Sequence, residues 1–131
     1  MEKISFIIPC YRSEHTLPSV VEEIKTTMSG MSDRYTFDIL LINDCSPDGT
    51  AETIKKLCEE DERISGISFA RNFGQHAALM AGFRYSDGDI CVCLDDDGQT
   101  PANQVGKLLE MIDEGYDAVY AKYDHKKHSG F

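Results

Sequence analysis

Short apolar runs alternate with stretches in which apolar residues recur at helical spacing, from one end of the chain to the other. Residues 4–8 form a nearly unbroken apolar run ahead of Pro9, the pattern of a buried strand. Leu17, Val20, Val21, Ile24 and Met28 then fall at i, i+3, i+4, i+7 and i+11, which predicts an amphipathic helix. Residues 37–42 read as a second strand, and Ala51, Ile54, Leu57 and Cys58 mark the buried side of a second helix. Residues 64–69 alternate apolar with small or polar side chains, as a half-buried strand does. Residues 77–83 are apolar nearly all round, which predicts a helix packed on several sides. Residues 90–94 read as a fourth strand. Thr100 is placed to N-cap a further helix, with Pro101 at its first position and Val105, Leu108, Leu109 and Ile112 as its stripe. Residues 118–121 read as a short fifth strand.

This order of strands and helices implies right-handed crossovers and a three-layer α-β-α fold, a mostly parallel sheet with helices on both faces. No repeat, linker or low-complexity segment interrupts it. Residues 124–131 turn polar and basic, an abrupt ending that reads as a domain cut from something longer. With 131 residues, 41% of them hydrophobic, one compact domain with its own core is expected. The net charge of −10 argues against nucleic acid or an anionic membrane surface as partner of the whole domain. The five cysteines are odd in number and lack paired CxxC spacing, so reduced thiols in a cytosolic compartment are expected. No apolar run approaches the ~20 residues of a membrane span. Met1-Glu2-Lys3 leads into the first strand without a signal peptide.

In open parallel sheets, ligands bind beyond the carboxyl ends of the strands. Those ends carry Pro9-Cys10-Tyr11, the run from Asn43 to Thr50, Ala70-Arg71-Asn72-Phe73-Gly74, and Asp95-Asp96-Asp97-Gly98-Gln99. Polar, chemically capable residues therefore collect on one rim. In an extended segment Asp95 and Asp97 share a face and Asp96 points oppositely. Two carboxylates roughly 6 Å apart at an effective dielectric of ~20 repel by about 3 kcal/mol, which a bound divalent cation turns into attraction. Oxygen-only ligands suit Mg²⁺ or Mn²⁺; an acidic turn at a strand end is the plain alternative. Asp44 can accept the ring N–H of uracil or guanine, or simply form the turn ahead of Ser46-Pro47-Asp48-Gly49. Tyr11 can lie against a base or ribose, or pack on the first helix. Arg71 can meet a diphosphate oxygen or pair with one of the surplus carboxylates. Gln99 suits a cation's shell or water. Asn72 and Gly74 fit a tight turn, and His15 and His76, lacking ligand-spaced partners, read as structural or surface residues.

Four segments carry a resemblance: Ile7-Ile8-Pro9-Cys10-Tyr11, the run from Ile42 to Thr50, Arg71-Asn72-Phe73-Gly74, and Leu94-Asp95-Asp96-Asp97-Gly98-Gln99. Through them the chain resembles the amino-terminal part of a family 2 glycosyltransferase with the GT-A fold. The branch is that of dolichol-phosphate mannose synthases and polyprenyl-phosphate sugar transferases. The resemblance implies a Rossmann-like, nucleotide-sugar-binding GT-A core over residues 1–123, truncated after about the fifth strand. Residues 124–131 would begin a missing acceptor-side region. It implies nucleotide contacts from Pro9, Tyr11, Glu14, Asp44, Arg71, Asp95, Asp96 and Lys122. A metal shell of Asp95, Asp97 and Gln99 would hold Mg²⁺ or Mn²⁺. Two departures stand out. Tyr11 is followed by Arg12-Ser13-Glu14 where the family commonly has Tyr-Asn-Glu, so Glu14 would replace the usual acid from one residue away. Cys45 stands at a common glycine, so the turn after Asp44 must manage without positive-φ freedom or bear strain.

The implied function is metal-dependent, inverting transfer of a sugar from a nucleotide-diphosphate donor, UDP preferred over GDP, to a polyprenyl phosphate or a glycan. The resemblance identifies no catalytic base, because the acceptor half is absent; this portion alone is expected to bind donor and turn over poorly. A cytoplasmic site is expected, with the parent protein at the cytoplasmic face of a membrane that it touches only through the missing C-terminal region. A non-catalytic nucleotide- or sugar-binding module keeping the fold is the alternative. A response-regulator-like receiver would need an acidic pair after the first strand and a phosphorylatable Asp after the third. Those places hold Cys10-Tyr11 and Arg71-Asn72. A phosphate-binding GxxxxGK[ST] loop is absent from the sequence.

Overall fold

The computed structural model describes residues 1–96. The helix expected after Thr100 and the strand expected over 118–121 lie outside the described residues. The elements are β1 (Glu2–Cys10), α1 (Leu17–Ser29), β2 (Tyr35–Asn43), α2 (Thr50–Glu60), β3 (Ile64–Ser68), α3 (Gln75–Tyr85) and β4 (Ile90–Cys93). The strands form one parallel sheet in the order β3-β2-β1-β4. β1 pairs with β2 along its whole length, from Glu2 opposite Tyr35 to Cys10 opposite Asn43.

Strand alternation sorts the apolar residues into two layers. Ile4, Phe6, Ile8 and Cys10 of β1 pack with Ile39 and Leu41 of β2 and with the apolar sides of α1 and α2. Ile7, Leu40 and Ile42 face the other way and meet Ala78 of α3. Strands covered on both faces need apolar residues at successive positions, which is why the sequence shows runs rather than alternation. Full burial of one such side chain is worth roughly 1.5–3 kcal/mol. Ser5, also fully buried, pins the register: Gly88 N–H donates to its Oγ (3.0 Å), and a one-residue slip would turn this hydroxyl into the larger core.

All five apolar residues of the first helical stripe are buried in α1. Two expectations need correction. Ala51 is exposed; α2 buries Thr50, Ile54 and Leu57, and Cys58 is half-buried. Ala51 sits about 100° round the helix from Thr50 and so misses the sheet. The expectation of a helix packed on several sides also fails for α3, which buries only Ala78 and Gly82, while Met80, Phe83 and Tyr85 are 53%, 43% and 65% exposed. Two small residues four apart let the helix backbone settle onto Ile7 and Ile42, and the larger side chains then point outward. No helix among the described residues is long and apolar enough to cross a membrane.

Candidate functional site

The loop from β1 to α1 is suspended by three successive backbone amides. Tyr11 N–H donates to Asp96 Oδ2 (2.9 Å), Arg12 N–H to Ser46 Oγ (2.8 Å), and Ser13 N–H to Thr50 Oγ1 (2.9 Å). The Ser46 and Thr50 hydroxyls both donate onward to Asp48 Oδ1, which also accepts Thr50 N–H (3.0 Å). Burial would raise the Asp48 pKa, but hydrogen bonds from Ser46, Thr50 and the Glu14 backbone outweigh it and hold the carboxyl at about 2. Asp48 is therefore a charged hub beneath the loop, and its bonds with ionised oxygen are the strong kind. The buried Thr50 at the start of α2 is explained by this network.

Asp44, 5% exposed at the end of β2, clamps a second loop. Its Oδ1 accepts Phe73 N–H (2.7 Å) and its Oδ2 accepts Gly74 N–H (2.9 Å), while Asn72 Nδ2 donates to the Asp44 carbonyl (3.2 Å). Gly74 precedes α3 and cannot cap it with a side chain; the Asp44 carboxylate supplies the negative charge a helix N-terminus favours. Gly74 has φ +95°, a conformation glycine takes at no steric cost. Cys45, next to Asp44, has φ +53°, and so does Arg12 in the facing loop. That backbone is costly for a residue with a side chain, so of the two outcomes open at Cys45 the strained one is found.

Between the two loops lies a cavity of about 370 Å³ lined by Pro9, Cys10, Tyr11, Asp44, Asn72, Gly74 and Gln75. Burial and the Asp96 carboxylate push the Cys10 thiol well above its usual range, so this wall of the cavity is a neutral thiol. Three of the expected nucleotide residues, Pro9, Tyr11 and Asp44, meet here. Glu14 does not line the cavity: its carboxylate lies against Gly49, and its carbonyl accepts Thr53 Oγ1–H (3.3 Å). Arg71 is exposed and stacks its guanidinium over Phe73 (4.9 Å). Asp95 is half-buried just past β4, and Asp96 is buried with its carboxylate on the Tyr11 amide. Asp97, Gln99 and Lys122 lie outside the described residues. Among the described residues no three acidic, His or Cys side chains are grouped to hold a metal ion. His15 and His76 are on the surface, as expected.

Sequence reasoning passed over Cys10 and Gln75 as cavity walls, and took Asn72, Gly74 and Asp48 for turn residues only. The Ser46-x-Asp48-x-Thr50 spacing was a usable signal, since two hydroxyls flanking a carboxylate invite mutual hydrogen bonds. Gln75 left none.

A parallel sheet with a cavity between the loops that follow β1, β2 and β3, beside an acidic segment after β4, defines an α/β fold of the GT-A glycosyltransferase kind. The chain belongs to glycosyl transferase family 2, whose family model matches residues 5–131. It is 37% identical over its whole length to an undecaprenyl-phosphate 4-deoxy-4-formamido-L-arabinose transferase of Salmonella choleraesuis (strain SC-B67), and 33% identical to the enzyme of that name from Proteus mirabilis (strain HI4320). It spans 40% of the length of each of these relatives. Among solved structures, TarS 1-349 of S. aureus in complex with UDP-GlcNAc aligns with a TM-score of 0.66 at 19% identity, over 86% of this chain and 31% of that one. The mannosyltransferase PcManGT of Pyrobaculum calidifontis, in complex with GDP-Man and Mn²⁺, aligns with a TM-score of 0.54 at 20% identity, over 73% of this chain and 28% of that one. These likenesses establish the fold.

Proposed function

We propose that this chain is the donor-binding part of a glycosyltransferase that passes a sugar, with inversion, from a nucleotide-diphosphate donor to a polyprenyl phosphate. The observation that carries the reading is the meeting of Pro9, Tyr11 and Asp44 around one cavity at the carboxyl rim of the sheet. Tyr11 lies against the base or ribose. Each Asp44 oxygen already accepts one amide and keeps a lone pair, enough for the single ring N–H of uracil, the base we prefer over guanine. Asp96 holds Tyr11 at its backbone, so the acidic segment runs beside the Tyr11 wall, and Asp95 is next to it in the chain.

The donor set of Asp95, Asp97 and Gln99 is all oxygen, which fits Mg²⁺ or Mn²⁺. Such a cation, when bound, supplies positive charge against the diphosphate leaving group. Arg71 and Lys122 are assigned in this reading to supply cationic charge for the phosphates, and Glu14 to contribute from the β1–α1 loop. A polyprenyl phosphate with a second pKa near ~6 is mostly ionised at pH 7 and attacks without a strong protein base. A sugar hydroxyl would need one. The undecaprenyl phosphate in the names of the two relatives supports the lipid phosphate; action at the cytoplasmic face of a membrane is part of the same proposal.

Calorimetry with UDP- and GDP-linked sugars, with and without Mn²⁺, tests the reading. Metal-dependent binding that disappears in Asp97→Ala is expected. Absence of binding, or binding indifferent to metal and to that substitution, overturns it.

A further inference from the structure

We propose that Asp96, the middle carboxylate of the acidic triplet, is a positioning residue: it sets Tyr11 against the nucleotide cavity by accepting the Tyr11 backbone N–H. The proposal rests on the donor-binding reading above, and it moves Asp96 from nucleotide contact to support.

Two hydrogen bonds of the same sense tie residue 96 to the β1–α1 loop. Tyr11 N–H donates to Asp96 Oδ2 (2.9 Å), and Thr16 Oγ1–H donates to the Asp96 carbonyl (2.7 Å). Thr16 occupies the N-cap position of α1, where a threonine oxygen ordinarily accepts an amide of the first helical turn. Here it makes no cap bond to its own helix, and its hydroxyl donates to the Asp96 carbonyl at 2.7 Å in preference to the Ser13 carbonyl at 3.4 Å. The loop between Tyr11 and Thr16 is thus fastened at both ends to one residue of the segment after β4. At 6% exposure, a carboxylate on a backbone amide is held more firmly than a surface contact. The Asp96 carboxylate is thus committed to the Tyr11 wall of the cavity. The wall and the acidic flank cannot shift independently.

The experiment follows the Tyr11 amide resonance in ¹⁵N-labelled protein, together with UDP-sugar affinity and affinity for Mn²⁺ alone. In Asp96→Ala the Tyr11 amide shifts strongly, donor affinity falls about tenfold, and Mn²⁺ affinity is unchanged. In Asp96→Asn the amide oxygen still accepts, so the Tyr11 resonance and donor affinity stay close to those of the parent. Thr16→Val removes only the second tie and moves the Tyr11 amide in the same direction by less; it carries the test if Asp96→Ala does not fold. An unmoved Tyr11 amide in Asp96→Ala or Thr16→Val overturns the proposal. So does loss of Mn²⁺ affinity in Asp96→Asn equal to that in Asp96→Ala, which would make Asp96 a direct ligand. If the parent protein binds no nucleotide sugar the donor-binding reading fails, and the amide shift still decides the Tyr11–Asp96 tie.

Discussion

Gly82→Ala separates two opposing effects whose sum has a sign the sequence alone gets wrong. In an isolated helix the change is favourable by about 0.8–1 kcal/mol, because alanine loses less backbone freedom than glycine. In α3 the added Cβ would fall within the van der Waals envelope of Ile7 Cγ2 and lie 3.3 Å from Ile7 Cβ and Ile42 Cδ1. Ile7 and Ile42 are both fully buried and belong to the sheet, so neither can move aside cheaply. Overpacking of that kind costs typically 1–3 kcal/mol or more. So close an approach to a buried sheet residue falls in the upper part of that range, about 2–3 kcal/mol, and subtracting the propensity gain leaves a net destabilisation of about 1–2 kcal/mol. Urea unfolding followed by circular dichroism should show a lower midpoint with an unchanged m-value. Ile7→Leu moves the branch away from Cβ and removes the offending methyl at little cost in volume. In that background the Gly82→Ala penalty should shrink by about 1 kcal/mol, read as the coupling term of a double-mutant cycle. Stabilisation by Gly82→Ala in the parent protein, or additivity with Ile7→Leu, would show that α3 does not sit on β1 as described.

Cys45→Gly should stabilise the protein by about 0.5 kcal/mol: relief of a left-handed backbone gains about 1 and the freer unfolded chain takes back about half. Thermal unfolding reads it, with Cys45→Ala, which keeps the strain, as the comparison that must not gain. Acid should act partly through Asp48, whose native pKa is lowered from the ordinary 3.8 to about 2. Its contribution is complete above the unfolded value and is lost as pH falls from about 3.8 through about 2. Urea midpoints should therefore fall less between those two pH values in Asp48→Asn, which keeps the Oδ1 acceptor without the titration, and equal acid slopes would exclude Asp48 as a source.

The course of the described chain was legible from apolar spacing because strands and helices impose different periods on the residues they bury. The stripe from Leu17 to Met28 lies on the buried face of α1, and the runs over 4–8 and 37–42 lie within β1 and β2. The exposed side of α3 was not legible. Apolar composition says that a helix can be buried, whereas Gly82 and its steric fit to Ile7 decide which face is. The site divides in the same way. Residue types at the carboxyl ends pointed to the rim where the cavity lies, since that follows from topology alone, and the positive φ at Cys45 was foreseeable from the missing glycine.

What Asp44 and Asp96 do there was decided only by tertiary contacts, whereas Asp48 bonds to hydroxyls two residues to either side of it. Asp44, Asp48 and Asp96 are alike in sequence, strand-end or turn carboxylates on one rim. Folding brings Asp44 to the amides of Phe73 and Gly74 and Asp96 to the amide of Tyr11. Local pattern determines where a segment can be buried, because burial depends on periodicity within that segment. The partner of a buried carboxylate comes from 29 to 85 positions away for Asp44 and Asp96, and only the packed sheet brings such residues within hydrogen-bond reach.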